Sequence, residues 1–294
     1  MKNSKLFFIL IAFIFLSCNS KDLLQIVFKL PKELKEASAV QVSSKSDLIW
    51  TIQDSGNEAE IYGLDKNGDI AQTIALAGTP NVDWEDLTSD SEGNLYVGDF
   101  GNNDNLRQDL SIYKINGTEL TSNVVTPSQK TTFYYPQQKK FPPKKKEFLY
   151  DVEAFFLHNN FFYLFTKNRS SQFDGTTFLY KVPNKPGNHA AELIDSYKTC
   201  RIFNHCAITS ADISPNGKQV VILSNSKIWL LENFKGDNYF SGTAQEVELQ
   251  LVSQKEGICY KDDSTLLITD ERKKKSGGNL YSLDLKSLKL KSKS

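Results

Sequence analysis

Carboxylates recur in this chain at a fixed distance from a second polar residue. Glu85 precedes Asp99, Glu153 precedes Lys167 and Glu256 precedes Asp270 by 14 positions each, and Ala211-Asp212-Ile213 leads to Asn225 at the same spacing. An earlier copy runs from Glu36 to Asp54 over 18 positions. In the fourth copy Asp212 stands in for the glutamate, offset by one position. Asp83, Asp86, Asp151 and Glu271 flank the set. Acids gathered from separate segments raise one another's pKa, so they need compensation. A hard divalent cation such as Ca²⁺ offers it, since it takes about six to eight oxygen ligands. Lys167, which breaks the acidic pattern, is the other source. The candidate ligand- or metal-binding residues are therefore Glu36, Asp54, Glu85, Asp99, Glu153, Lys167, Asp212, Glu256 and Asp270. Any one of these acids could instead accept backbone N–H bonds and fix a turn.

Two short motifs sharpen the set. Asp54-Ser55-Gly56-Asn57 follows an apolar strand, and Gly98-Asp99-Phe100-Gly101-Asn102-Asn103, with Arg107 close behind, is a polar turn-forming insertion. Asn102 and Arg107 are secondary candidates. Neither motif is a P-loop, because no Gly-Lys-Ser/Thr follows. Ser55 has no histidine neighbour in sequence, which argues against a Ser-His-Asp triad.

The elements that must position these groups are strands. Each copy has a triplet, a turn and a short apolar strand such as Leu95-Tyr96-Val97 or Leu266-Leu267-Ile268, then a third strand rich in Tyr, Leu and Ile. Four copies continue into a fourth strand at residues 70–76, 131–135, 191–196 and 244–251. Turn chemistry at Ser91-Glu92-Gly93-Asn94 and Ser214-Pro215-Asn216-Gly217 supports this register. Antiparallel four-stranded units repeated in this way predict an all-β propeller with five blades. The last copy lacks a fourth strand, and residues 23–30 would supply it, closing the ring and hiding an edge. Six blades is the alternative, since residues 116–150 are long enough to hold another strand pair. The first strand of a hairpin leaves one face and the second returns to it, so the candidate residues should meet at one mouth of the central channel.

The N-terminus predicts export. Lys2 and Lys5 precede an apolar run of eleven residues, 6–16, closed by Ser17-Cys18. Such a run, as a helix, rises only about 16 Å against a hydrocarbon core of about 30 Å. Leu16-Ser17-Cys18 resembles the lipobox of bacterial lipoproteins, which implies a leader over 1–17, lipid attachment at Cys18, a tether over 18–22 and a propeller domain over 23–294 with a Lys-rich tail. The expected location is the bacterial cell envelope, at the outer membrane, with membrane contact through the lipid. In an oxidising compartment Cys200 and Cys206 could form a loop disulfide or stay separate thiols. Basic and acidic residues balance at 35 each, so no electrostatic field points to nucleic acid.

The chain also resembles the phytase-like or esterase-like propeller proteins, in particular an uncharacterised envelope lipoprotein branch. The residues that carry this are Trp50-Thr51-Ile52-Gln53-Asp54-Ser55-Gly56-Asn57, Asp83-Trp84-Glu85-Asp86-Leu87, the Gly98–Asn103 motif, Asp151-Val152-Glu153-Ala154, Ser210-Ala211-Asp212-Ile213 with its turn, and Lys255-Glu256-Gly257-Ile258. The resemblance implies a calcium-lined acidic mouth acting on phosphate esters, although Lys167 and Arg107 are the only evident basic groups for a phosphate. Two functions follow as expectations. One is a ligand-binding or scaffolding lipoprotein, serving an outer-membrane complex. The other is a Ca²⁺-dependent hydrolase, a phosphoesterase or lactonase, using the same mouth.

Overall fold

The computed structural model describes residues 22–274 and 276–291. Five sheets, each built on antiparallel strands, stand in a ring. The first blade is built from Gln41–Ser43, Ser46–Ile52, Glu60–Leu64 and Ile70–Leu76, and the second from Trp84–Ser89, Leu95–Asp99, Ser111–Ile115 and Gln129–Tyr134. Asp151–His158, Phe161–Lys167, Thr176–Pro183 and Glu192–Lys198 make the third. The fourth holds Ile208–Ile213, Gln219–Ser224, Lys227–Glu232 and Thr243–Glu248. Lys255–Asp262, Thr265–Asp270 and Asn279–Asp284 form the fifth, completed by the N-terminal strand Gln25–Lys29, which pairs antiparallel with Asn279–Asp284. The ring is thus closed by the two ends of the chain.

The fold is a five-bladed propeller, and the six-blade alternative is set aside. Residues 116–150 hold no inserted blade. Beyond Gln129–Tyr134 they contribute Val124–Val125, which lies parallel to the outer edge of the first blade. Gly187–Ala190 covers the edge of the second blade in the same way. Both additions satisfy edge N–H and C=O groups that would otherwise template aggregation. Near the C-terminus, Leu285–Lys291 is a short helix whose Leu285 and Leu288 are buried against the last blade. The leader, Cys18 and the tether up to Lys21 lie outside the described residues.

Alternation in each strand sends apolar side chains to both sides of a blade, so the core is divided among the blade interfaces rather than gathered in one centre. Trp50 and Ile61 of the first blade meet Trp84 and Val97 of the second, and Phe155 and Phe162 of the third pack on Tyr96 and Ile112. Phe156, Tyr163 and Trp229 fill the next interface. Side chains also stitch neighbouring inner strands together. Asp86 accepts from the Phe155 backbone N–H at 3.2 Å and from the Ser210 hydroxyl at 3.1 Å, and Ser210 Oγ in turn accepts from the Ile258 N–H at 3.1 Å. A disulfide joins Cys200 and Cys206, whose Cα atoms are 5.5 Å apart, and pins the loop entering the fourth blade.

Candidate functional site

The recurring glutamates share a backbone device. Glu85, Glu153 and Glu256 each sit at a β-bulge in an inner strand, where the register slips against the returning strand. A bulge re-aims its extra residue, here toward the channel mouth. The residue that ends the returning strand then lies alongside: Asp99 opposite Trp84, Lys167 opposite Asp151, Asp270 opposite Lys255. This is the structural meaning of the 14-residue spacing.

At the mouth, oxygens of Asp54, Asp83 and Glu85 lie within 4.8 Å of one another, and so do those of Glu85, Asp151 and Glu153. Glu85 belongs to both groups and links them. Lys167 Nζ donates to Glu153 Oε2 at 2.9 Å, and Arg169 bridges Asp151 Oδ2 at 2.6 Å and Glu153 Oε1 at 2.5 Å. Asp151 and Glu153 are therefore compensated by two cations, whereas no salt bridge among the described residues reaches Asp54, Asp83 or Glu85. Lys167, Arg169, Glu256, Asp270 and Glu271 line a cavity of about 580 Å³ beside this cluster.

Gly101 makes the approach possible. A Cβ there would lie 2.2 Å from Glu85 Oε1 and 2.5 Å from the Asp83 carboxyl carbon, so a bare backbone packs directly on the uncompensated acids. Gly101→Ala is expected to displace both carboxylates at a cost of about 1–3 kcal/mol. The check is thermal unfolding together with Ca²⁺ titration; unchanged cation affinity would show that the close packing is irrelevant to the site.

The electrostatics follow from burial and crowding. Burial, then the neighbouring acids, pushes the Glu85 carboxyl well above the usual range. Burial and Asp54 raise Asp83 to about 6, burial and Asp54 raise Glu271 to about 7, and burial raises Glu256 to about 8 against the pull of Lys167. Burial and Glu153 lift Asp151 to about 7 despite Arg169. Glu153 goes the other way: burial opposes its charge, but Lys167 and Arg169 outweigh it and hold the carboxyl low. Acids with raised folded pKa bind more protons folded than unfolded. Their contribution to stability is therefore lost as pH rises from about 4 through about 8. The metal-free ring is expected to lose melting temperature over that window, and Ca²⁺ to restore it at the upper end. A melting temperature flat with pH in chelator would refute this.

Not every sequence candidate comes to this cluster. Asp212 is the main departure. Its blade bulges at Thr209, so Thr209 occupies the glutamate's place, and Asp212 lies farther along the inner strand. There it accepts from the Tyr260 N–H at 2.8 Å and the Ile213 N–H at 2.9 Å and lines the cavity at the opposite end of the channel. Asp86 turns into the channel wall as described. Glu36 stays on the rim, accepting from Asn57 Nδ2 at 2.8 Å. Asp99 is a brace, paired with Arg107 at 2.9 Å and accepting from the Asp83 N–H at 3.1 Å. Asn102 is another: its N–H donates to Asp151 Oδ1 at 2.6 Å, and its own Oδ1 accepts from the Arg107 N–H. Asp270 borders the cavity but accepts from the Asn279 N–H and the Tyr281 hydroxyl of its own blade. Arg169 was not anticipated. The available signal was its place two residues after Lys167, on the extension of a strand already directed at the mouth.

Fold and site together define a five-bladed β-propeller with an acidic channel mouth. No family model matches the chain, and no curated protein does. Among solved structures it is similar to a gluconolactonase from Xanthomonas campestris, with 10% identity and a TM-score of 0.44 over 83% of this chain and 70% of that one. It is also similar to the hydrazine synthase of Kuenenia stuttgartiensis, at 12% identity and a TM-score of 0.40 over 82% of this chain and 57% of that one. These likenesses concern the arrangement of blades and carry no argument about the reaction.

Proposed function

We propose that this chain is a lipid-anchored protein of the bacterial cell envelope whose channel mouth hydrolyses a small phosphoester with the help of a divalent cation. The observation that supports this most directly is the uncompensated triplet Asp54, Asp83 and Glu85 placed beside Lys167 and Arg169. All donors in the triplet are carboxylate oxygens, a hard set that suits Ca²⁺ and not a soft metal. Gly101 leaves room for the acids to converge. A cation held there would polarise a substrate oxygen or lower the pKa of bound water.

The chain's own groups supply the rest. Lys167 and Arg169 face the cavity and, although paired with Glu153 and Asp151, make the potential there less hostile to an anionic substrate. Glu271 and Glu256, raised to about 7 and about 8, can hold or release a proton near neutrality, as general acid–base work requires.

The test is turnover of p-nitrophenyl phosphate, its diester and a small lactone by the purified protein, with Ca²⁺ or with chelator. Ca²⁺-dependent release from a phosphate ester is the expected result. Release from the lactone alone would replace the phosphoester reading by a lactonase one at the same mouth. Cation binding with no turnover of either class would favour the second reading, a ligand-binding or scaffolding lipoprotein. That reading is supported by the absence, among the described residues, of any histidine lining the mouth cavity that could pair with a nucleophile.

A further inference from the structure

Two loops bring large apolar side chains to the cavity beside the acid cluster. Phe203 arrives on the loop that enters the fourth blade, and Leu251 and Val252 on the loop that enters the fifth. Leu251 is 42% exposed and Val252 63%, so this wall is open to solvent. The same cavity is lined by Lys167, Arg169, Glu256 and Glu271. It therefore joins charged groups to apolar ones within about 580 Å³, a volume that suits a small molecule.

Exposed apolar residues scattered singly need no explanation. These are grouped on one cavity, and both loops are firmly held. The Cys200–Cys206 disulfide pins the first. Phe203 lies edge-on to the Phe173 ring, with centroids 5.2 Å apart, and the Arg169 guanidinium sits over its own ring at 6.0 Å. The second loop is held from beneath by Lys255, which is 0% exposed. Its Nζ donates to Leu251 O at 2.5 Å, Ser253 Oγ at 3.0 Å and Asn225 O at 3.2 Å. A buried ammonium served by neutral oxygens is costly. The fold accepts that cost at the point where it fixes Leu251 and Val252 beside the cavity.

We infer that the mouth takes an amphipathic ester, whose oxygen-rich end lies at the cation and whose apolar arm lies against Phe203, Leu251 and Val252. The inference rests on the cation-assisted reading of the mouth and adds the class of substrate. Ile202, 60% exposed, is next to Phe203 in the chain but does not line the cavity, so an arm lying inside the cavity has no use for it. A partner protein or any other broad apolar surface would cover Ile202 as well.

The experiment is calorimetric titration of the purified protein in Ca²⁺ with two series that resist hydrolysis, alkylphosphonates and alkyl-substituted γ-lactams. Each series carries arms of two, four and six carbons, and the series that binds separates a phosphoester head from a lactone head. Affinity rising about fivefold with every two carbons is the expected result, a part of the full methylene transfer energy because the wall is open. The double variant Leu251→Ser, Val252→Ser should flatten that rise, and Ile202→Ser should leave it intact; all three side chains are exposed, so the ring stays folded. Binding indifferent to arm length would overturn the inference and leave the cation-assisted mouth standing. A rise that persists in the double variant would also overturn it, by placing the arm elsewhere. Loss of the rise in Ile202→Ser would reassign the apolar wall to a larger partner. Failure of both series to bind would overturn the reading of the mouth and this inference together.

Discussion

Glu85→Gln is expected to weaken Ca²⁺ binding at the mouth by about 100-fold or more while leaving the ring folded and no less stable. Glu85 is the one carboxylate shared by both acidic groups, and it is 7% exposed. Burial and four neighbouring acids disfavour its charge, so the metal-free protein carries an unfavourable ionisation that glutamine removes at equal size. The sign with pH is definite. Glu85 has a raised folded pKa, so the wild type loses stability as pH climbs above the ordinary glutamate range, whereas the variant lacks this loss. The variant's melting temperature in chelator should therefore match the wild type at mildly acidic pH and exceed it at pH about 8. Calorimetric titration and thermal unfolding on the same samples decide the matter. Retained tight binding would move the cation elsewhere, and a large drop in stability at all pH values would make Glu85 a structural brace.

Arg169→Met is expected to cost about 3–5 kcal/mol, because removing one member of a buried ion cluster leaves its partners uncompensated. Arg169 spans Asp151 and Glu153, which are 0% and 3% exposed, while its own side chain is 24% exposed. Lys167 would remain to serve Glu153, but Asp151 would keep only the Asn102 N–H. In a domain of this size the melting temperature should fall by about 10 °C. Arg169→Lys should recover only part of the loss, since a point charge cannot bridge two carboxylates as a planar fork does. Acidification lets Asp151 and Glu153 become neutral, so the penalty should shrink as pH falls. Denaturant unfolding at mildly acidic and mildly alkaline pH measures this directly. An equal loss at both pH values would point to lost packing on Phe203 instead of lost charge compensation.

The local pattern of residues was enough to determine the blade architecture and to favour five copies, whereas the choice against a sixth blade in residues 116–150 was made only by the structure. Strand alternation, Gly and Asn turns and the constant 14-residue interval are all set within one hairpin, and the N-terminal strand announced itself by an apolar run with no partner nearby. The same interval carried Glu85, Glu153, Lys167 and Glu256 toward one mouth, and the 18-residue copy carried Asp54 there, because the inner hairpin dictates which end of the blade each residue closes.

What lay beyond the sequence was register at the resolution of a single residue. A bulge adds one position to a strand without changing its composition. Nothing local therefore distinguished Thr209 from Asp212 as the fourth blade's counterpart of Glu85. Only packing around the ring decided that Asp212 accepts from Tyr260 at the other end of the channel, that Asp99 and Asp270 brace their own blades, and that Asn102 reaches across to Asp151 of the next. The charge balance of the mouth was likewise a tertiary outcome. It depends on Arg169 reaching back to Asp151 and Glu153 across a cluster that forms only when separate blades close, since Coulomb interactions between them fall off over distances that chain spacing does not encode.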